Sequence, residues 1–406
     1  LRCCGSAGAD LCSDCGLRSG LFLMLKRAVV LGSTGSIGRN ALAVIDALRD
    51  EWMVAGLAAG ADGRHLAEQA NRFRPAAVAL ADERRAGELR SALVYEPRIR
   101  LGADAQVRLL EEVACDGVVS AVVGAGGLAG TLKAVEQGRR VALANKEAMV
   151  MAGALLVPLA KRTGATIIPV DSEHSAIFQA LQGGRREDVE RVYLTASGGP
   201  FRTWSLEAME HVTVEEALRH PTWNMGPKIT IDSATMMNKA LEIVEARWLF
   251  DLPADKIEVV IHPESIIHAL VEYRDGALLA QMSAPDMRMP IQYALTYPSR
   301  RACPAPRLDL GTVRQLTLQP PDVDRFPALR LGRVVAERGG TCGAVLNAGN
   351  EAAVELFREG LIPFTEIARG TERALEGHEF KAAATLEDLL AADRWARQEV
   401  TRCLSC

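Results

Sequence analysis

The chain has 406 residues, 49% hydrophobic and 24% charged, with a net charge of −4, enough apolar material for more than one core. That mild acidity argues against a general nucleic-acid-binding role, which requires a basic face. No apolar run approaches the ~20 residues that span a bilayer, so the expectation is a soluble, cytoplasmic protein with no nucleic-acid or membrane partner.

Residues 1–24 hold four of the nine cysteines and show no hydrophobic periodicity. They read as a disordered extension or as a start assigned too far upstream, because "LKRAVVLGSTGSIG" directly after Met24 opens like a domain. A second reading joins Cys12 and Cys15 to Cys403 and Cys406 as two C-x-x-C pairs that could close a zinc site. The other cysteines are scattered, and nothing requires an oxidising compartment.

Over residues 25–164, short apolar runs alternate with helical patterns. "AVVLG", "WMVAGLAAG", "AAVALAD", "GVVSAVVGAGG" and "RVALANKE" predict strands; "SIGRNALAVIDALRD" and "HLAEQANRF" predict helices. Such alternation predicts an α/β domain, a Rossmann-like, doubly wound parallel sheet covered on both faces. Gly32, Gly35 and Gly38 stand three apart where the first strand meets its helix. There a tight turn brings backbone N–H groups to a pyrophosphate, and Thr34 and Ser36 add hydroxyls. After the second strand, "AAGADGRH" offers both Asp62, an acid suited to a ribose diol, and Arg64, a cation suited to a 2′-phosphate. The residues alone leave NAD or NADP open. "GAGG", Gly124–Gly127, is expected to lie against the cofactor or to start a helix.

Residues 165–297 predict a central α+β domain. "TIIPVD" reads as a strand running into "VDSEHS", so Asp171 and Glu173, two apart, would project side by side. Like charges that close need a cation between them. Lys146 ends an earlier parallel strand, where ligands of open α/β sheets bind. Ser197 lies in the glycine loop of "TASGGPF". "RHPTWNMGPK", with His220, Trp223 and Met225, reads as a lid over 218–228. "KITID" predicts a strand, followed by a helix with Met237, Leu241, Val244 and Trp248 on one side and Asn238 and Glu242 on the other. Singly, each acid reads as a surface charge. Together Asp171, Glu173 and Glu242 make a hard oxygen set that suits Mg²⁺ or Mn²⁺ better than zinc. His174, His262 and His268 are candidate ligands or acids that read first as core or capping histidines. The proline-rich stretch 298–327 predicts a surface connector, and 328–399 a C-terminal helical bundle.

"GSTGSIG", "LANKE", "VDSEHSAI", "SGGPF", "HPTWNMG", "DSATMMNK", "EARWLF", "IHPESIIH" and "APDMR" occur in this order. Together they resemble the 1-deoxy-D-xylulose 5-phosphate reductoisomerase family of the non-mevalonate isoprenoid pathway, over about residues 25–399. The resemblance implies an NADPH- and divalent-metal-dependent homodimer that isomerises and reduces 1-deoxy-D-xylulose 5-phosphate to 2-C-methyl-D-erythritol 4-phosphate. It implies metal ligands at Asp171, Glu173 and Glu242, with Lys146 and Ser172 beside the substrate's chelating oxygens. Ser197, His220, Ser233, Asn238 and Lys239 would hold its phosphate and hydroxyls under Trp223. Gly32, Thr34, Gly35, Ser36, Ile37, Gly60, Arg64, Asn145, Glu147, Gly226 and Met287 would meet the cofactor. The sequence departs from the family at Ala61 and Asp62, where relatives carry residues that hold the 2′-phosphate; Asp62 would repel that phosphate if it faced it, and Arg64 would compensate. Two rival readings fit less of the chain. A simpler two-domain dehydrogenase leaves the three acids unexplained, and a non-catalytic dinucleotide sensor would not need them.

Overall fold

The computed structural model describes residues 25–223 and 225–404. Residues 1–24, Asn224 and 405–406 lie outside the described residues, and with them Cys12, Cys15 and Cys406 of the zinc reading. Cys403 lies within it, its thiol donating to Glu399 (3.2 Å).

The first layer alternates strand and helix through β1 (Lys26–Leu31), α1 (Ser36–Ala47), β2 (Trp52–Ala59), α2 (Gly63–Phe73) and β3 (Ala77–Leu80). It continues through α3 (Ala86–Ala92), β4 (Arg98–Leu101), α4 (Ala105–Glu112), β5 (Gly117–Ser120), α5 (Leu128–Glu136) and β6 (Arg140–Leu143). Then come α6 (Lys146–Thr163), whose backbone leaves helical geometry at Ala152, and β7 (Thr166–Pro169). All seven strands are parallel, in the order β4-β3-β2-β1-β5-β6-β7. The central strands are buried on both faces, which is why "AVVL" and "GVVS" lack alternation. The expected boundary at 164 falls before β7, which completes this sheet.

The second sheet has the order β11-β10-β8-β9. It is reached through α7 (Ser172–Ala180), β8 (Val189–Ala196), α8 (Leu206–Met209), α9 (Val214–Ala217), α10 (Pro227–Ala234), α11 (Met237–Leu249) and β9 (Ile257–Ile261). β10 (Ile267–Tyr273), β11 (Leu278–Met282) and α12 (Arg288–Thr296) follow, α12 returning to pack on α1. β10 had no counterpart among the predicted strands. "KITID" is helical, not a strand: Gly226 and Pro227 start α10, since proline at the first position lacks only an N–H that would go unpaired. β7 ends at Pro169, so Asp171 is the N-cap of α7 and Glu173 lies in its first turn. The two acids are therefore helix-start neighbours rather than strand neighbours.

Residues 298–327 carry no helix or strand, only an isolated bridge from Gln319 to Ile261. The chain ends in α13 (Ala328–Arg338), α14 (Cys342–Arg358), α15 (Glu366–Gly377) and α16 (Leu386–Leu404). These helices pack on one another, α14 against α15 and α16, and also join the core of the second sheet. Val345, Phe357 and Ile367 share one buried cluster with Leu241 of α11 and Leu194 of β8, and α14 packs directly on α6.

Candidate active site

Strand order reverses between β1 and β5, and the crevice at such a switch point is where open α/β sheets bind ligands. The turn after β1 is built for close approach. Gly32 has φ +79°, and a Cβ there would stand 2.4 Å from the carbonyl oxygen of Ala121 after β5. α1 starts at Gly35 with no side chain capping it, which leaves its first N–H groups available to an anion. These residues fit a dinucleotide pyrophosphate.

From this crevice a cavity of about 630 Å³ extends to the second sheet. Gly35, Ser36, Ile37, Glu147, Gly226 and Met287 line its nucleotide end. At the other end it receives Lys146, Asp171, Ser172, Glu173, Ser197, His220, Trp223, Ser233, Asn238, Lys239 and Glu242, from six separate parts of the chain. Of the residues expected to meet the cofactor, Gly32, Thr34, Gly60, Arg64 and Asn145 do not line the cavity. Asn145 is 1% exposed and tied to the carbonyls of Val122 (2.6 Å) and Gly124 (3.0 Å), so it shapes the loop after β5. Gly60 and Arg64 lie at the start of α2.

At the floor, oxygens of Asp171, Glu173 and Glu242 all come within 4.8 Å of one another. Two lysines stand among them. Lys146, the first residue of α6, bonds Asp171, the Asn238 amide oxygen (2.9 Å) and Glu242 (3.1 Å). Lys239 bonds Glu173 (2.7 Å) and Glu242. Ser172 donates to Glu173 (2.5 Å) and Asn238 to Glu242 (2.6 Å). Burial would lower both lysines, but the acids outweigh it: Asp171 first for Lys146, which stands well above its ordinary value, and Glu173 first for Lys239. Burial would raise Asp171, yet Lys146 holds it well below the usual carboxylate range. Glu242 is pushed up, by burial and then by Asp171 and Glu173. Three carboxylates that a pair of ammonium groups does not fully offset fit a divalent cation, and all-oxygen donors fit Mg²⁺ or Mn²⁺. Met236 takes φ +61° between α10 and α11, a left-handed conformation unusual for a non-glycine residue, and this bend turns Ser233 and Asn238 into the same cavity.

His174, expected as a core or capping histidine, is buried as expected, whereas Glu245, Lys228, Asp232, Asn350 and Glu351 had no counterpart in the sequence reading. His174 is fully buried behind the acids, its Nε2 3.0 Å from the Glu242 carbonyl and its Nδ1 3.1 Å from Glu245. Glu245, pushed up to about 7 by burial, helps hold His174 up at about 9 against the burial that would lower it. A second buried chain links three regions. Lys228 in α10 pairs with Glu147 (2.9 Å) and Asp232 (2.8 Å), and Asn350 of α14 donates to Asp232 (2.8 Å). Beside Asn350, Glu351 accepts from Arg397 (2.5 Å) and occupies the space over Gly124, 2.6 Å from where a Cβ would lie. The i, i+4 spacing of Lys228 and Asp232 was the one signal in the sequence. Over the cavity, His220 accepts at Nδ1 from the N–H groups of Thr222 (3.1 Å) and Trp223 (2.9 Å), so its proton sits on Nε2, 3.0 Å from the Ser197 hydroxyl. Burial lowers the pKa of His220.

Comparison with known proteins agrees with this geometry. The description of 1-deoxy-D-xylulose 5-phosphate reductoisomerase matches residues 28–153, and those of its C-terminal domains match 167–250 and 282–399. The reductoisomerase of Chlorobium phaeovibrioides is 50% identical over 378 residues, 93% of this chain and 98% of that protein. The Zymomonas mobilis reductoisomerase, solved with NADPH, is 42% identical with a TM-score of 0.88, covering 94% of this chain and 99% of that one. A reductoisomerase solved with NADPH, fosmidomycin and magnesium is 39% identical with a TM-score of 0.88, covering 94% and 98%. With its switch-point crevice, its buried acid floor and its likeness along nearly the whole length, this chain belongs to the 1-deoxy-D-xylulose 5-phosphate reductoisomerase family.

Proposed function

We propose that this chain converts 1-deoxy-D-xylulose 5-phosphate, NADPH and a proton into 2-C-methyl-D-erythritol 4-phosphate and NADP⁺, with Asp171, Glu173 and Glu242 as the holders of a Mg²⁺ or Mn²⁺ ion. The observation that carries this reading is the convergence of those three acids with Lys146 in the cavity that opens from the glycine turn. A divalent cation there supplies Lewis-acid polarisation of the substrate's ketone and neighbouring hydroxyl. NADPH at the crevice supplies the hydride.

The protein's own groups do the positioning. Lys146, bonded to Asp171, Asn238 and Glu242, steadies negative charge developing on a substrate oxygen. Ser172 orients Glu173. Ser197, His220, Ser233, Asn238 and Lys239 form the polar wall that takes the phosphate and hydroxyls, His220 offering the hydroxyl of Ser197 its Nε2 proton. Trp223 covers the site and excludes water, so that binding energy gained at the phosphate closes the lid over the reacting carbons. Glu147, Gly226 and Met287 face the cofactor. Thr34 lies in the glycine turn, and Asn145 acts through the loop it fixes.

We further read the chain as a nucleotide domain over 25–164 together with β7, a catalytic domain over the rest of 165–297 with lid 218–228, and a helical domain over 328–399 whose helices join the catalytic domain's core. A homodimer is supported by β11, an edge strand whose Leu278 and Leu279 are 52% and 37% exposed. A cytoplasmic setting is supported by the free thiols of Cys115 and Cys342; recovery in a membrane or secreted fraction would argue against it. The deciding experiment is NADPH oxidation by the purified protein. It should require both the sugar phosphate and Mg²⁺ or Mn²⁺ and stop with a chelator. Oxidation that ignores the chelator would refute the cation assignment, and none with any metal would refute the activity.

A further inference from the structure

The nucleotide end carries a feature that the reaction does not require. β2 lies beside β1, and the N–H groups of Gly32 and Ser33 in the glycine turn both bond the Ala58 carbonyl of β2 (2.9 and 2.8 Å). Gln69 of α2 bonds the Ser33 carbonyl (2.9 Å), so the turn, the end of β2 and the start of α2 form one rigid unit. A dinucleotide whose pyrophosphate rests on that turn places its adenosine ribose at the end of β2.

What waits there is a carboxylate. Asp62 caps α2, one oxygen accepting from the His65 N–H (3.1 Å) and the other 2.7 Å from His65 Nδ1. The helix start that would otherwise attract a phosphate already holds an internal anion. A second acid borders it, for the Asp82 N–H bonds the Gly60 carbonyl (2.9 Å), although Asp82 is itself paired with Arg84. Ala61 offers no cation. Arg64 is exposed and has no hydrogen bond or ion pair among the described residues. A 2′-phosphate therefore meets a carboxylate held by His65, with Arg84 and Arg85 already paired to Asp82 and Glu88 and, of these three arginines, Arg64 alone unpaired among the described residues, whereas a ribose diol meets an acceptor.

Resting on the reductoisomerase reading, we propose that Asp62 sets dinucleotide selectivity, accepting the ribose diol of NADH and repelling the 2′-phosphate of NADPH. The chain then binds NADH within about tenfold of NADPH, since one like charge at a solvent-exposed site shifts binding by about that factor. The test is titration of reduced-nicotinamide fluorescence with the intact protein, without substrate. Asp62→Asn keeps the cap, since asparagine also accepts from the helix N–H groups, and should tighten NADPH about tenfold while leaving NADH equal or weaker. Ala61→Lys, which leaves the cap untouched, should also tighten NADPH alone. NADPH affinity unchanged in both variants, or a wild type that prefers NADPH by a thousandfold, overturns the role of Asp62 and leaves the reductoisomerase reading standing. Failure to bind either dinucleotide overturns both.

Discussion

Lys146 and Lys239 answer the question that Asp171 and Glu173 raise on paper, namely what keeps buried carboxylates together. Two buried ammonium groups share three acids, an arrangement that is costly to break one partner at a time. Replacing Glu242 with Gln removes the most buried oxygen donor while nearly preserving shape. Turnover should fall about a thousandfold, the scale of losing a cation's charge stabilisation. NADPH binding should stay within about twofold, because the nucleotide crevice lies outside the acid cluster. Kinetics beside a fluorescence titration check this, and turnover within tenfold of wild type at low Mg²⁺ would sink the assignment. His220 gives a pH prediction. Its pKa lies below the ordinary 6.5, so the lid order it supports is complete above 6.5 and is lost as pH falls through the lower folded value. Protonation puts a proton on Nδ1, where the Thr222 and Trp223 N–H groups now bond. The KM for the sugar phosphate should rise as pH drops from 7 to 5, and His220→Gln should flatten the rise; identical profiles would remove His220 from the lid. The acids, Lys146 and the wall residues were legible because short motifs carry them. His174 and Glu245 were not, since a lone histidine beside acids looks the same whether it supports a site or fills a core.

α10 shows why elements were harder to read than residues. "KITID" has a strand's composition, β-branched residues alternating with polar ones, and propensity alone points to a strand. The helix wins because Gly226 and Pro227 start it and Lys228 and Asp232, one turn apart, are anchored at both ends. Those anchors lie far off in sequence, Glu147 at a separation of 81 residues and Asn350 at 118. No local window contains them. "VDSEHS" was misplaced for the same reason: Asp171 caps a helix that packs against β10 and β11, about a hundred residues away. Asn350→Leu tests the anchor, because it leaves a buried Asp232 oxygen without its donor. Stability in urea should drop by about 1–3 kcal/mol. Substrate KM should rise more than kcat falls, since α10 carries Ser233. Unchanged stability and KM would show that α10 holds its place without α14.

At the scale of the whole molecule, the alternation over residues 25–164 gave away a parallel sheet and five of its seven strands, missing β4 and assigning β7 to the next domain, whereas the second sheet was only partly visible. β10 runs between two antiparallel neighbours and is buried at its first three residues, alternating only from Ala269 onward, so "IIHALVEY" shows no clear period of two. The C-terminal helices were legible one by one through their periodicity, but not their shared core with α11 and β8, which only long-range packing defines. The exposed β11 edge predicts pairing of two copies. Light scattering should return twice the 43.7 kDa of one chain, and charged replacements at Leu278 and Leu279 should lower that mass. A single-chain mass for the unaltered protein would exclude the dimer.

The contact between α14 and α10 also orders events during synthesis. The seven-stranded sheet is complete once Pro169 has left the ribosome, and domains generally fold as units from the N-terminus. Lys228 and Asp232 then exist for more than a hundred residues of translation before Asn350 and Glu351 emerge. Over that interval the floor of acids can form, but α10 lacks the partner that fixes Ser233 above it. A nascent chain stalled before α14 thus holds its nucleotide turn beside an unfinished sugar-phosphate pocket, so a dinucleotide can bind earlier in the life of the molecule than either isomerisation or reduction becomes possible.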